Sequence, residues 1–158
     1  MKRAHGRRLQ LAVQMQIASR ASRLPSVRKV RRWIESTLAT QRGTRTIGVR
    51  LVDRSESRRL NATYRSRNHP TNVLSFPAPA RQPGGERLLG DLVLCAPVVA
   101  EEARAQGKEI DAHWAHLVVH GTLHLLGYGH ERPRAARAME AREVRILAKL
   151  GYSNPYLI

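Results

Sequence analysis

Three histidines are spaced so that their side chains can bind one metal ion. His120 and His124 are four residues apart, so on a helix both imidazoles point to the same side. Gly127 follows, and a glycine allows the chain to leave a helix and turn back, which can bring His130 to the same ion. Zinc binds neutral imidazole, and catalytic zinc sites combine three protein ligands with an open position for water. The spacing therefore predicts a metal site made by His120, His124 and His130.

The residue after the first histidine distinguishes this pattern from that of a zinc peptidase. The spacing matches the metzincin pattern H-E-x-x-H-x-x-G-x-x-H, in which a glutamate follows the first ligand and acts as general base. Here that position is Gly121. The histidines have no cysteine or carboxylate at ligand spacing that would close the site, which favours catalysis over a structural metal. A metalloprotease remains an alternative, weakened by the missing glutamate.

His116 lies one helical turn before the first ligand. Residues eight apart on a helix are separated by about 12 Å along its axis, so His116 and His124 cannot share one ion. We expect His116 to support a ligand from behind or to pack in the core. It is also a candidate catalytic residue, because a general base is otherwise supplied only by a metal-bound hydroxide.

The positive charge is concentrated in the N-terminal part of the chain. Lysine and arginine total 28 against 12 acidic residues, which gives a formal net charge of +16. Residues 1–67 contain 18 basic and 3 acidic side chains, whereas residues 68–158 contain 10 and 9. A positive field of this size attracts polyanions and speeds encounter with them. The charge therefore predicts a nucleic-acid partner.

Length and composition predict one domain over residues 1–158. A chain of 158 residues that is 42% hydrophobic can bury a substantial core. Its apolar runs are much shorter than the roughly 20 residues of a membrane helix, so we expect no membrane partner. The single cysteine, Cys95, excludes an internal disulfide and favours the reducing cytoplasm. An arginine-rich start is also typical of organelle transit peptides, which remains an alternative.

Apolar periodicity and turn residues predict the order of the secondary-structure elements. We expect strands at 9–17, 46–52, 70–77 and 88–95, a surface loop at 78–87, and helices at 25–41, 56–65, 97–106, 111–126 and 133–150. This order predicts an α+β fold, with a single mixed β-sheet of about four strands packed with about five helices. The helix at 111–126 is the zincin-like metal helix. The first helix is basic on its solvent side, and we expect the nucleic acid to lie between it and the histidines.

The blocks around these residues resemble the YbeY family of bacterial metal-dependent endoribonucleases. The longest matching run extends from Trp114 to His130. Shorter blocks are Leu-Asn-Ala-Thr-Tyr-Arg at 60–65, Pro-Thr-Asn-Val-Leu-Ser-Phe-Pro at 70–77, Leu-Gly-Asp-Leu-Val-Leu-Cys at 89–95, and the ending at 151–156. The similarity covers about residues 50–156. It implies a single-strand-preferring endoribonuclease that acts in ribosome quality control and in maturation of the 3′ end of small-subunit ribosomal RNA.

The resemblance also assigns roles to individual residues. It implies zinc at the three histidines and a catalytic role for Arg65, in the Tyr-Arg block. A guanidinium is planar, always charged and able to bind two phosphate oxygens, so we expect Arg65 at the scissile phosphate. The implied partners are ribosomal RNA and the ribosome or its assembly proteins. A non-catalytic zinc-containing ribosome-assembly factor is the alternative.

Two positions depart from the family's usual pattern. Residue 129 is glycine where the family usually has aspartate, and the segment Arg67-Asn68-His69 lacks an acid that the family usually carries. A carboxylate that orients a metal ligand is worth about 10–100-fold in metal affinity or activity. Gly129 therefore predicts a competent but weaker metal site.

Overall fold

The computed structural model describes residues 8–80, 82–83 and 87–157, and within these a four-stranded mixed sheet packs with five helices. This confirms the predicted α+β fold. The elements are, in chain order, β1 (Gln10–Ile17), α1 (Val27–Thr37), β2 (Thr44–Val52), α2 (Arg54–Arg65), β3 (Val73–Pro77), β4 (Arg87–Cys95), α3 (Ala96–Ala105), α4 (Ile110–Leu125) and α5 (Pro133–Lys149).

The sheet has the strand order β1-β2-β4-β3. β1 and β4 pair in parallel with β2, whereas β3 pairs antiparallel with β4. Alternate residues of β2, namely Ile47, Val49 and Leu51, are buried beneath the helices, as the two-residue period of a strand requires. β3 is consequently an edge strand, and one of its sides is open to a neighbouring groove.

The first helix is shorter than its apolar pattern predicts. Ser26 stands before α1 as its N-cap, where its side chain accepts a hydrogen bond from the Lys29 backbone N–H at 3.2 Å. Pro25 therefore precedes the helix instead of opening it. At the other end, Leu38 is the C-cap.

The loop expected at 78–87 is shorter at its end, because β4 already begins at Arg87. Residues 81 and 84–86 of this loop lie outside the described residues.

α4 forms the centre of the helical layer. It packs against β3, β4, α1, α3 and α5, and Trp114, Val118 and Leu123 on it are at most 1% exposed. A helix that is apolar on nearly all sides is stable only when it is surrounded. The histidines of α4 are therefore held on a rigid element. No helix in the described part of the chain has the length and apolar character needed to span a membrane.

Candidate metal centre

α4 and the turn after it bring the three predicted ligands together. The Nε2 atom of His124 lies 3.1 Å from Nε2 of His120 and 3.1 Å from Nδ1 of His130. Around a tetrahedral zinc ion with bonds of 2.0–2.1 Å, ligand nitrogens are about 3.3 Å apart. The three nitrogens thus have the separation that a shared metal ion imposes.

Gly127 makes this convergence possible. Its φ is +100°, a left-handed conformation that is favourable for glycine and disfavoured for other residues. The turn is fixed by two backbone bonds, from Gly127 N–H to His124 O at 3.0 Å and from Tyr128 N–H to Leu123 O at 3.1 Å. These satisfy the final carbonyls of α4 and direct the chain back towards His130.

Hydrogen bonds to the imidazoles leave one nitrogen of each ring for a metal ion. Nδ1 of His120 lies 2.6 Å from a Glu143 carboxylate oxygen, which can only accept, so Nδ1 is the donor and Nε2 is the atom that can bind a metal. Burial, and then the neighbouring His120 and His130, lower the pKa of His124 to about 4, so that its ring is neutral at pH 7. A hydrogen bond to the Tyr128 backbone offsets part of this lowering of the His124 pKa. The Nε2 atoms of His120 and His124, 3.1 Å apart, are close enough to bind one cation, so this donor set fits a metal ion.

Glu143 on α5 is the buried anchor of the site. It is 0% exposed, and its carboxylate accepts hydrogen bonds from His120, His116 and the Tyr156 hydroxyl. Burial alone raises the pKa of Glu143, but these hydrogen bonds outweigh it and lower the pKa to about 2. The carboxylate is therefore ionised, and it fixes the ring and tautomer of His120 in the way that metal-bound histidines usually require.

Sequence reasoning missed Glu143, although the sequence carries a signal for it. Met139, Glu143 and Leu147 follow one another at four-residue spacing and are the buried residues of α5. A charged residue inside an apolar helical stripe is costly unless partners stabilise it. Such an interruption indicates a buried polar network, but it does not identify the partners, which come from α4 and the C-terminal segment.

His116 lies behind His120 and outside the groove that the ligands face. Its Nε2 is 2.9 Å from Glu143 Oε2 and 3.3 Å from Tyr156 Oη. His116, His120 and Glu143 could by proximity form a second metal group. However, the carboxylate already accepts an N–H from each ring, so the three form a hydrogen-bonded network. His116 is therefore placed to support His120 indirectly, through its hydrogen bond to Glu143.

Arg65 shares a groove of about 550 Å³ with the three histidines. It is the last residue of α2, and its Nη2 donates to the Ser75 carbonyl of β3 at 2.9 Å. The other guanidinium N–H groups are available to a ligand because Arg65 is exposed and makes no ion pair with any described carboxylate. The groove is lined by Asn61, Arg65, Arg67, His69, Thr71, Asn72, Val73, Leu74, Ser75, Pro77, His120, His124 and His130.

The position of the basic helix differs from our expectation. None of the described residues that line the histidine groove belongs to α1. α1 packs instead on α4, β1 and α5. α1 therefore does not border the histidine groove, and the position of the nucleic acid stays a prediction, because net charge indicates a kind of partner and carries no information on which surface faces it.

Gly121 allows α4 to lie very close to the sheet. A Cβ atom at this position would lie 2.8 Å from Leu92 Cδ2 and 3.2 Å from Ser75 Oγ, closer than packed atoms approach. The Ser75 hydroxyl also donates to the Gly121 carbonyl at 3.2 Å. A side chain at the position where a peptidase carries its glutamate would therefore force Leu92 and Ser75 to shift.

The two departures from the usual family pattern have different surroundings. A Cβ atom on Gly129 would meet nothing within 4 Å, and no positive φ requires glycine there. An aspartate at this position therefore fits. In the second segment, Asn68 accepts from Arg58 Nε at 2.8 Å, and the His69 carbonyl accepts from Asn61 at 2.8 Å. These bonds hold the loop that borders the groove without an acid.

Comparisons with known proteins agree with the geometry. The family model described as Endoribonuclease YbeY matches residues 14–151. Proteins named Endoribonuclease YbeY from Alkalilimnicola ehrlichii and Aromatoleum aromaticum are 55% and 52% identical, each over 94% of this chain and over 91% and 93% of their own lengths. One from Cellvibrio japonicus is 48% identical over 91% of this chain and 82% of its own. A solution structure from Thermotoga maritima shares the fold, with 22% identity, a TM-score of 0.56, and coverage of 92% and 100%.

Proposed function

Because this chain belongs to the YbeY endoribonuclease family, we propose that it is a zinc-dependent endoribonuclease that prefers single-stranded RNA. We extend the proposal to maturation of the 3′ end of small-subunit ribosomal RNA and to ribosome quality control. The observation that carries it is the convergence of three imidazole nitrogens in one groove with Arg65. Its partners would then be ribosomal RNA and the ribosome or its assembly proteins, in the cytoplasm, and residues 1–158 would form one catalytic domain.

The three ligands and Arg65 would divide the work of phosphodiester cleavage. Zinc, when bound by the histidines, lowers the pKa of its water and polarises a phosphate oxygen. Arg65 is anchored through one N–H to Ser75 and presents its remaining donors to the phosphate, whose developing negative charge they stabilise. Zinc is the expected ion, although three imidazoles also accept nickel, copper or iron, so the metal content of the purified protein is part of the test.

Glu143 and His116 would support catalysis indirectly, by holding the metal ligand His120 in place. Glu143 holds His120 with Nε2 directed at the metal, and His116 and Tyr156 hold Glu143. His116 is therefore a positioning residue in this proposal, and no step uses it as a base. The attacking group is either water or the 2′-hydroxyl of the RNA itself. A 2′,3′-cyclic phosphate end in the product would exclude direct attack by water as the sole route.

The main test combines metal analysis with cleavage of a ribosomal RNA precursor. Wild type should contain one zinc per chain and cut the precursor. His124→Ala should lose both zinc and cleavage, whereas Arg65→Glu should keep zinc and lose cleavage. Arg59→Glu is a matched control, because Arg59 is an exposed arginine on the same helix that does not line the groove. Cleavage by His124→Ala at the wild-type rate would overturn the metal mechanism.

A non-catalytic ribosome-assembly factor with structural zinc is the second candidate. Gly129 favours it, because the family's usual aspartate is missing beside the last ligand. RNA binding that survives metal removal, without cleavage at near-stoichiometric protein, would support this alternative. A metalloprotease is disfavoured by glycine in place of glutamate at residue 121 and by the tight packing there, and an assay with a peptide library and added zinc tests it directly.

A further inference from the structure

We propose a second site for the RNA backbone, in a basic pocket between α1 and α5. The inference rests on the proposed function only in taking RNA as the polyanion. The pocket has a volume of about 170 Å³ and lies away from the histidine groove, with which it shares no lining residue. It lies between two basic helices of the described chain and would bind phosphates beyond the scissile one.

The pocket collects three positive charges on one helical face. Arg142, Arg145 and Lys149 line it at relative positions 0, 3 and 7 of α5, a spacing that places side chains on the same side of a helix. Hydroxyl groups of Ser36 and Thr40 line the opposite wall. Guanidinium, ammonium and hydroxyl groups are the donors that proteins use for phosphate oxygens.

These three positive charges form no ion pairs among the described residues. No carboxylate in the described part of the chain lies within 4.0 Å of a basic group of Arg142, Arg145 or Lys149, whereas Lys29 of α1 pairs with Asp111 at 2.6 Å. The Nε atom of Arg142 is buried and has no hydrogen-bond partner among the described residues. Buried donors are almost always satisfied in native proteins, so this atom marks Arg142 as a side chain whose polar groups the fold does not fully satisfy.

The shape of the pocket favours a phosphate over a base or a folded partner. At about 30 Å³ per water molecule, its volume holds roughly five or six waters, which suits a phosphate with bridging water. None of its described lining residues is aromatic or acidic, so it offers neither a stacking platform nor an attraction for cations. Arg28 and Arg32 lie on the exposed side of α1 and extend the positive surface beyond the pocket.

The pocket and the metal site lie on different sides of α5. Arg142 faces the pocket and stacks over the Tyr128 ring at 5.5 Å, whereas the next residue, Glu143, binds His120. A helix with its side chains is about 10–12 Å across. One RNA strand can therefore reach both sites only through several nucleotides, so the pocket should contribute to the binding of long strands and very little to short ones.

The test is the affinity of the full chain for RNA, measured by fluorescence anisotropy over a range of salt concentrations. The probes are a long single strand of ribosomal RNA sequence and a short strand that spans the metal groove alone. Both carry 2′-O-methyl groups, which keep the phosphate charges and resist cleavage. For Arg145→Glu with Lys149→Glu, we expect affinity for the long strand to fall about tenfold and its salt slope to fall by about 1.4. The short strand should change by less than twofold.

The control carries the same change in net charge at two exposed positions outside both pockets, Arg59→Glu with Arg104→Glu. Should the double reversal disturb folding, as judged by circular dichroism, Arg145→Gln with Lys149→Gln gives the same comparison. A folded pocket variant with wild-type affinity and salt slope, or with no larger loss than the control, would overturn the second site. Loss of long-strand binding supports it even if the wild type fails to cut RNA, a result that would overturn the nuclease proposal alone.

Discussion

Two grooves of similar size lie beside the sheet, and they differ in the polar groups that they leave available. The histidine groove has a volume of about 550 Å³, and the outer groove about 510 Å³. The outer groove lies on the face of the sheet turned away from α4 and is defined by Gln14, Arg50, Glu56, Tyr64 and Asp91. Size alone therefore does not identify a site in this protein.

The arginines of the two grooves show the difference. Arg50 of the outer groove donates from Nε and Nη2 to the two oxygens of Glu56, at 2.6 and 2.9 Å. Its charge is neutralised within the fold. Arg65 of the histidine groove donates to a neutral backbone carbonyl and keeps its full charge. A groove with an unpaired guanidinium and convergent imidazole nitrogens can do chemistry, whereas the paired charges of Arg50 and Glu56 contribute to stability.

Removal of a metal ligand should have the largest effect. We expect His124→Ala to lower zinc affinity by more than about 100-fold, because only two imidazoles remain. This exceeds the loss of about 10–100-fold expected when a residue that only orients a ligand is removed. His69→Ala is the control, since His69 lines the same groove outside the ligand triad and should leave zinc affinity unchanged. Titration with a competing chelator measures both. Equal zinc affinity of the two variants would contradict the assigned ligands.

Loss of the buried anchor should come next. Glu143→Gln should weaken zinc binding by about 10–100-fold, because the amide binds the His120 N–H less strongly than a carboxylate does. Tyr156→Phe removes one of the three donors to Glu143 and should have a smaller effect on zinc affinity. Chelator competition on both variants is the measurement. A Glu143→Gln protein that binds zinc as tightly as the wild type would show that the network is only structural.

The arginines test the comparison between the grooves directly. Arg65→Ala should lower kcat/KM for RNA cleavage by about tenfold or more, since a hydrogen bond to a charged group is worth about 1.5–3 kcal/mol, and it should leave zinc content unchanged. Arg50→Ala in the outer groove should change kcat/KM by less than about twofold, because its charge is already paired. Similar losses of kcat/KM in the two variants would contradict the proposed difference between the two grooves.

Gly129→Asp tests whether an added carboxylate beside His130 strengthens zinc binding in the histidine groove. The new side chain has free space and would place a carboxylate next to His130, so we expect zinc affinity to rise severalfold, at most about tenfold. Gly129→Asn is the matched control without charge. Chelator competition that shows no gain for aspartate over asparagine would mean that Glu143 already supplies the orientation that the site needs.

The smallest effect concerns the ion pair of the outer groove. The hydrogen bond from Arg50 holds the pKa of Glu56 below its ordinary 4.5. Between the lowered pKa of the folded state and the ordinary pKa of 4.5 in the unfolded chain, the unfolded chain binds more protons. The ion pair therefore stabilises the fold above pH 4.5, and this contribution is lost as the pH falls towards the lowered pKa of the folded state. Arg50→Ala should therefore lower Tm by about 1–3 °C at pH 7 and by much less near pH 3. An equal Tm loss at both pH values would contradict this.

The sequence predicted what depends on neighbouring residues along the chain. The helix of α4, the turn at Gly127 and the meeting of the three histidines follow from local spacing, and the order of elements follows from periodicity. The roles of these residues stay predictions until metal and activity are measured. Glu143 could not be found in this way, because it reaches His120 from another helix, 23 positions away.

The sequence could not predict the surroundings of α1 and Gly121, and the physical reason is the same for both. Charge along α1 predicted a polyanionic partner, but the surface that α1 shares depends on how α4 and α5 pack against it. The missing glutamate at Gly121 could be read as a loss of peptidase chemistry. Only the packing distances show that a side chain there would have to displace Leu92 and Ser75, since contact between α4 and β4 is a property of the folded chain.

That close packing also constrains how this protein can evolve. Some glycine codons become glutamate codons through one nucleotide change. At Gly121 such a mutant would force Leu92 and Ser75 to shift and would strain the packing of the helix that carries His120 and His124. Overpacking of this kind costs stability unless the neighbouring side chains also change. The contact between helix and sheet thus keeps a well-packed glutamate at this position several substitutions away, with less stable intermediates on the way.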